Sequence, residues 1–433
     1  MIKHQTRIIL AGMMGNLIEA FDMAICGLLS IYFAKYLIGD PNKGLFIVFL
    51  TFFAGYLARP IGAAFSGLFS DAYGRKITLA ISILCMGVAT ALMGFIPSHS
   101  AIGMSSMIAL LILRIIQSFS CGAEYLNASA YLVENADVSH KGFTGSWASF
   151  GAMAGLLMAS VTALFVARLT SSYPDLEWMI WRVPFILGLL GSSIGLYIRL
   201  CIPESLEYIA FYADNPRPKF DCLIKQSCQF IAHNKLQALY AFVLSCLGVT
   251  STFQIYIYAP IQAHIYGSLT DQQIIGSNII SIMVMLCAFP IVGKLSDIIN
   301  REKIVIAASL GFWFLSLPYF YLLSHDNFGM LVLSQCLISI PAGAYYATVP
   351  VMLAEMFPIY LRCTVLSVLY ATAASLAAGL TPLLSLMLLR RINNPVAPTL
   401  LIITLIAFIW SIMRIRDLHQ KKIIAFSMPS IES

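Results

Sequence analysis

The sequence predicts an all-α membrane protein with 12 transmembrane helices in two pseudo-symmetric six-helix bundles. Three observations predict it: scarce charge, apolar stretches long enough to cross a bilayer, and a pair of motifs repeated at a nearly fixed offset. Hydrophobic residues make up 59% of the 433 and charged residues only 11%, against about 25% charged in an ordinary soluble domain. Charge-free runs such as Ile77 to Ile96 cross a hydrocarbon core of ~30 Å at ~1.5 Å per residue. So many runs leave only short connections, and no room for a soluble catalytic domain.

The expected spans, numbered helix 1 to helix 12, are 8–37, 45–70, 77–96, 102–133, 143–170, 181–201, 236–266, 272–298, 303–323, 327–356, 362–391 and 394–416. The first reads as a retained helix rather than a cleaved leader. Its apolar run continues to about Leu37, lacks a small-residue cleavage pattern and contains Glu19 and Asp22. Cys26, Cys85, Cys121, Cys246, Cys287 and Cys336 fall singly inside apolar runs, and no CxxC occurs. They read as small buried hydrophobes rather than disulfides or metal ligands. No metal site or other cofactor is expected.

Lys and Arg test the topology. With both termini inside, 18 of the 26 fall on the cytoplasmic side, Lys3, Lys141, Arg199, Arg416, Lys421 and Lys422 among them. Six, including Lys35 and Lys43, fall outside, and Arg59 and Arg114 remain within the membrane. The three-to-one asymmetry follows the positive-inside rule. The net charge of +6 is therefore a topology signal, and no nucleic-acid partner is implied. The sizeable polar segment runs over 202–235 and contains Pro203, Pro216 and Pro218. It reads as a cytoplasmic linker between a bundle at 1–201 and a second at 236–433, which carries a short cytoplasmic tail.

The halves repeat. Gly67-Leu-Phe-Ser-Asp71-Ala-Tyr-Gly74-Arg75 is echoed by Gly293-Lys-Leu-Ser-Asp297-Ile-Ile-Asn-Arg301, each matched residue displaced by 226. Glu134 with Lys141, and Glu355 with Arg362, share an acid-to-base spacing at a displacement of 221. Parallel repeats of this kind generate a two-fold axis along the membrane normal, with the substrate site between the halves.

Gly67 to Lys76 resembles the loop signature of the major facilitator superfamily. Gly15-Asn16-Leu-Ile-Glu19-Ala-Phe-Asp22, Arg59-Pro60-Ile-Gly62, Arg114-Ile-Ile-Gln117 with Gly122-Ala-Glu124, and Trp181-Arg182-Val-Pro184-Phe185 narrow this. Together they resemble the metabolite:proton symporter family. Ala378-Gly379-Leu380-Thr381-Pro382 and the Phe150-Gly151 neighbourhood are most similar to its proline/betaine branch. The resemblance implies the major facilitator fold in a bacterial inner membrane. It also implies transport of osmolytes, amino acids or organic acids with protons as the coupling ion.

Charges at bilayer depth are costly and mark substrate or ion paths. Glu19 and Asp22 lie ~16 and ~21 Å along helix 1, while Arg59 and Arg114 lie ~21 and ~18 Å into helices 2 and 4. Their formal charges cancel. The resemblance to the sugar-porter branch places Asp22 and Arg114 as a proton-coupling pair, with Glu19 beside them. Glu124, further along helix 4, is either a proton exit or part of the gate structure. Arg59 either meets a substrate carboxylate through its bidentate guanidinium or braces helix 1. Arg114, Gln117, Gln254, Tyr256 and Tyr345 are candidate substrate contacts, though helix–helix hydrogen bonds explain the uncharged ones equally well. At the cytoplasmic end Gly67, Asp71, Gly74, Arg75, Lys76, Glu134, Asp297, Arg301, Glu355 and Arg362 form a candidate gate. Asp71 is expected to cap the following helix or bind Arg75, and Glu134 to pair with Arg75 or Lys141.

The expected function is proton-coupled uptake of a small carboxylate-bearing metabolite, such as an amino acid, betaine or organic acid. The alternative is proton-driven export of a siderophore, drug or other metabolite. An enzyme is not expected, since nucleophile–base and metal-ligand spacings are missing and no phosphate loop occurs. The expected partners are the substrate, protons and the bilayer, and the expected oligomeric state is a monomer.

Overall fold

The computed structural model describes residues 2–427 apart from 40, 216, 218, 267 and 268. The side chains of Lys3, Lys43, Arg416, Lys421 and Lys422 lie outside what it describes. Among the described residues the only regular elements are helices. Eleven are long and apolar enough to cross a membrane: Gln5–Leu28, Phe46–Tyr73, Arg75–Phe95, Ser105–Glu134, Val138–Ser172, Pro174–Cys201, Lys235–Tyr258, Gln272–Leu295, Arg301–Leu323, Phe328–Met356 and Arg362–Ile392. The shorter apolar Thr399–Ile415 completes helices 1 to 12. Leu57, Ile61 and Phe65 on helix 2 and Ile108 and Ile112 on helix 4 are exposed. Such stripes suit hydrocarbon tails, because the backbone of each helix is satisfied internally.

Two details carry the internal repeat into the backbone. Helix 1 continues into a π-helical turn at Ala34–Ile38, and helix 7 contains one at Gln254–Tyr258. The turns are 220 residues apart, within a residue of the acid–base displacement. The segment 202–235 is itself ordered: it holds helices Leu206–Asp214 and Phe220–His233, which bury Tyr208, Leu223 and Ser227.

Across the interface helix 2 packs on helix 11 and helix 5 on helix 8. The largest core cluster is built mainly in the second half and extends to Ala72, Tyr125, Leu126 and Val133 of the first. The two halves are thus welded at the end where helix 1 begins. Gln5 marks that end by bonding to Asp137 in the loop after helix 4.

Candidate functional site

Asp22 is fully buried on helix 1. Its Oδ2 lies 3.1 Å from the Thr90 hydroxyl of helix 3, while Oδ1 has no partner among the described residues. Thr90 accepts from Gln117 Nε2 at 2.7 Å, and Gln117 Oε1 accepts from Arg114 Nη1 at 2.5 Å. The direct Asp22–Arg114 ion pair implied by the family resemblance is therefore not formed; two neutral side chains separate the charges. Gln117 intercepts the guanidinium because it stands three residues further along helix 4, on the same face. Phe52 holds it from the other side, with Cζ 4.1 Å from the ring centre, a cation–π contact. Arg114 Nε is buried without a partner among the described residues. Gly188 of helix 6 leaves Asp22 its room, since a Cβ there would stand 3.1 Å from Oδ1.

Glu19, one turn earlier on helix 1, takes Arg59 of helix 2 as its partner at 2.7 Å. Both side chains are largely buried, 7% and 12% exposed. Arg59 thus braces helix 1, and in this conformation its charge is already matched.

Helix 4 breaks at Cys121–Ala123 and restarts at Glu124. The break sits where helices 2 and 4 nearly touch. A Cβ on Gly62 would meet the Phe119 carbonyl at 2.0 Å, and one on Gly122 the Arg59 carbonyl at 2.4 Å. Glu124 forms a buried ion pair with Arg199 of helix 6, which also donates to the Leu79 carbonyl. Arg199, counted above among the cations at the cytoplasmic helix ends, does not extend outward but is buried within the protein, 1% exposed. A basic residue at the end of an apolar run usually extends to the headgroups. Here Gly15 lets it fold inward, because a Cβ at that position would lie 1.6 Å from Arg199 Nη2. One sequence signal could have found it: with Glu19 and Asp22 balanced by Arg59 and Arg114, Glu124 lacked a counter-charge.

The remaining substrate candidates divide. Gln254 donates to Ser385 and the Pro398 carbonyl, and Tyr256 lies 3.3 Å from the Ser339 hydroxyl. All three contacts are internal to the second half. Tyr345 donates to the Leu244 carbonyl at 2.7 Å, but its ring lines a narrow cleft between the halves with Tyr125, Tyr346 and Tyr370. Tyr125 and Tyr370 meet across the interface with ring centres 5.3 Å apart. Tyr346 and Tyr370 were not singled out from the sequence, because tyrosines are common along these helices and periodicity does not say which face the cleft.

The gate candidates meet at the welded end. Asp71 accepts from the backbone amides of Cys363 and Thr364 at 3.2 and 2.8 Å, and from the Thr364 hydroxyl at 2.7 Å. It therefore caps helix 11 of the opposite half, not the helix that follows it. That following helix is capped by Glu204 of the linker, which accepts from the Arg75 and Lys76 amides. Gly74 makes the turn between them at φ 114°, a conformation glycine alone adopts readily. Gly67 allows the approach of helix 11, since a Cβ there would lie 2.7 Å from Thr364 Cα.

Arg75 is fully buried, paired with Asp71 at 3.2 Å and Glu134 at 3.1 Å, and donates to the Ile359 carbonyl across the interface at 2.8 Å. Glu134 also takes Arg362 at 2.8 Å. Lys141, the expected alternative partner of Glu134, instead pairs with Glu207 of the linker at 2.8 Å. In the second half Asp297 accepts from the Gly142 and Phe143 amides of the first, and Arg301 pairs with Asp297 and Glu355. Burial, then the nearby Asp71 charge, pushes the Tyr212 phenol of the linker up to about 12, so it remains a donor to the Asp71 carbonyl at 3.4 Å.

Two family profiles match the chain: "Sugar (and other) transporter" over residues 10–214 and "Major Facilitator Superfamily" over 240–426. The glycine betaine/proline/ectoine/pipecolic acid transporter OusA of Dickeya dadantii is 30% identical over 407 residues, spanning 90% of this chain and 79% of that one. The proline/betaine transporter of Salmonella typhimurium is 30% identical over 418 residues, spanning 93% and 82%. Among solved structures, the proton:xylose symporter XylE bound to 6-bromo-6-deoxy-D-glucose superposes with a TM-score of 0.77 at 16% identity, covering 94% of this chain and 96% of the other. An inward-open form of the same Escherichia coli transporter gives 0.66 at 18% identity, covering 94% and 95%. These structural likenesses speak for the fold alone. With relatives that are transporters rather than enzymes, the chain belongs to the major facilitator superfamily and, within it, to the metabolite:proton symporter family, most similar to the proline/betaine branch.

Proposed function

We propose that the protein couples proton entry to uptake of a small metabolite that carries a carboxylate. The observation that carries this reading is Asp22, fully buried, with one oxygen unpartnered and Arg114 held off by Gln117 and Thr90. A buried carboxyl needs either a proton or a counter-charge. A substrate carboxylate needs the same counter-charge, and among the described residues Arg114 has no acid partner in this conformation. Proton and substrate therefore favour each other's binding: a protonated Asp22 does not compete for Arg114, and an ionised one does. That reciprocity is a coupling free energy between two sites. Glu19 and Arg59 set the second balanced pair beside it and are the next candidates to exchange partners during the cycle.

The relatives' names support the substrate class. Glycine betaine, proline, ectoine and pipecolic acid all combine a carboxylate with a cationic nitrogen. Tyrosines at the cleft suit such a nitrogen, and Arg114, outside the lining of that cleft, suits the carboxylate. The excess of Lys and Arg at the welded end supports placing that end, with both termini, on the cytoplasmic side of a bacterial inner membrane. The protein then works as a monomer, its site between its own halves. The test is uptake of labelled proline and glycine betaine into proteoliposomes. Accumulation should require an imposed inward proton gradient and collapse with a protonophore. Gradient-driven loss of preloaded compound would instead support export.

A further inference from the structure

Glu124 and Arg199 are a buried pair that the coupling scheme above does not use. Each is 1% exposed. Glu124 Oε1 is bonded to Arg199, while Oε2 is buried with no partner among the described residues. Arg199 uses its other terminal nitrogen on the Leu79 carbonyl, so its guanidinium is fixed between helices 3 and 4 over Gly15 of helix 1. The pair is next to the first one. Gly15, against Arg199, stands one turn before Glu19 on helix 1, and Gly122, two residues before Glu124 in the break of helix 4, abuts the Arg59 carbonyl. From helices 3 and 1 the contacts on Arg199 are a backbone carbonyl and a glycine.

The order along the chain gives this cluster a direction. Asp22, Glu19 and then Gly15 with Arg199 step along helix 1 toward its start. Glu124 begins the last part of helix 4, which ends at Glu134 in the welded end. An unpartnered carboxylate oxygen, buried and near a second acid, is a place where a proton can be held briefly and passed on. We propose that Glu124 is the proton's station between Glu19 and the end where helix 1 begins, and that Arg199 is its positioning residue. The proton leaves Glu19 as the Arg59 guanidinium balances the new charge, and protonates Glu124 at Oε2. Arg199 then holds the ionised Glu124 once that proton departs. Atoms and charge balance at each transfer, and no further reactant is needed.

This inference rests on proton coupling, so the test begins with wild-type proteoliposomes containing a trapped pH dye. Labelled proline and glycine betaine are the probes. Wild type should accumulate one of them under an inward proton gradient and acidify the lumen as it does. Failure of both refutes the coupling reading and this inference with it. Given coupling, Glu124→Gln should cut accumulation and probe-dependent acidification at least about tenfold, while exchange at equal pH stays within about threefold. Arg199→Gln should displace the pH profile of exchange by about a unit or more, the size of effect an adjacent cation has on an acid. Arg199→Lys should restore much of it. Should Glu124→Gln lose exchange through its orphaned arginine, the charge-neutral double variant Glu124→Gln, Arg199→Gln is read instead. Coupled accumulation in that double variant overturns the proposal, and so does loss of its exchange, which would mark a purely structural pair.

Discussion

The Asp71 carboxylate meets the Thr364 amide at 2.8 Å across the interface between the halves, and Asp297 meets the Phe143 amide at 2.9 Å in the mirrored position. The donors are 221 residues apart and the acceptors 226, the two displacements read from the motifs. Each half thus caps a helix of the other with a negative charge at a positive helix end. An opening of this end would uncap both helices at once, so the two caps are expected to act together in a gate.

The two caps are unequal. Asp71 has 0% side-chain exposure and Asp297 8%, and Asp71 makes the additional bond to the Thr364 hydroxyl. Asp71→Asn should therefore slow transport more than Asp297→Asn. We expect losses of about tenfold and about threefold, in line with ~0.5–2 kcal/mol per cap. Probe affinity should stay within a few-fold in both. Uptake kinetics with matched binding measurements check the order.

Glu134 holds Arg75 and Arg362 together, so Glu134→Gln leaves two buried guanidinium groups short of charge. Breaking one partner of a buried pair costs about 3–5 kcal/mol, and the variant should melt markedly earlier in detergent. Lys141→Ala removes only a partly exposed pair with Glu207, of a kind that contributes about 0–1 kcal/mol. Its melting temperature should stay close to wild type.

Glycine positions separate packing from propensity. Gly62→Ala forces a Cβ to 2.0 Å from the Phe119 carbonyl, backbone against backbone, whereas a Cβ at Gly27 has nothing within 4 Å. Gly62→Ala should destabilise by ~1–3 kcal/mol. Gly27→Ala should be neutral or slightly stabilising, given the ~1 kcal/mol helix preference of alanine. Thermal melting of the two purified variants decides.

Topology is checked through Cys222 and Cys228, both exposed on the linker helix Phe220–His233. In a background without the other exposed thiols, a membrane-impermeant maleimide should label them in inside-out vesicles and not in intact spheroplasts. Labelling of spheroplasts would invert the proposed orientation.

The helices, their number and the repeat were legible in the sequence because each follows from a pattern along one strand of chain. Glu19, Asp22, Arg59, Arg114 and Glu124 were legible for the same reason, since charge in an apolar run stands out; Arg199, at the end of such a run, was not. Their pairing was not. Arg114 reaches Gln117 rather than Asp22, and Arg199 turns inward to Glu124, because of helix rotation and of space left by Gly15 and Gly188. Periodicity does not carry those quantities. Likewise Asp71 caps a helix nearly three hundred residues away, while a linker residue, Glu204, takes the local role expected of it.

The central claim is that Asp22 and the substrate carboxylate compete for Arg114. Arg114→Ala removes the object of that competition and should abolish both accumulation and exchange. Asp22→Asn removes one competitor and leaves the cleft intact, so the direct measurement is probe binding and transport in that variant across pH 5 to 8, on the order of the range over which proton-coupled groups titrate. Wild-type affinity should strengthen as pH falls. In Asp22→Asn the affinity should be independent of pH, exchange between preloaded vesicles and medium should persist, and accumulation driven by a proton gradient should vanish. Gradient-driven accumulation that survives Asp22→Asn, with the wild-type pH dependence of binding, would contradict the account.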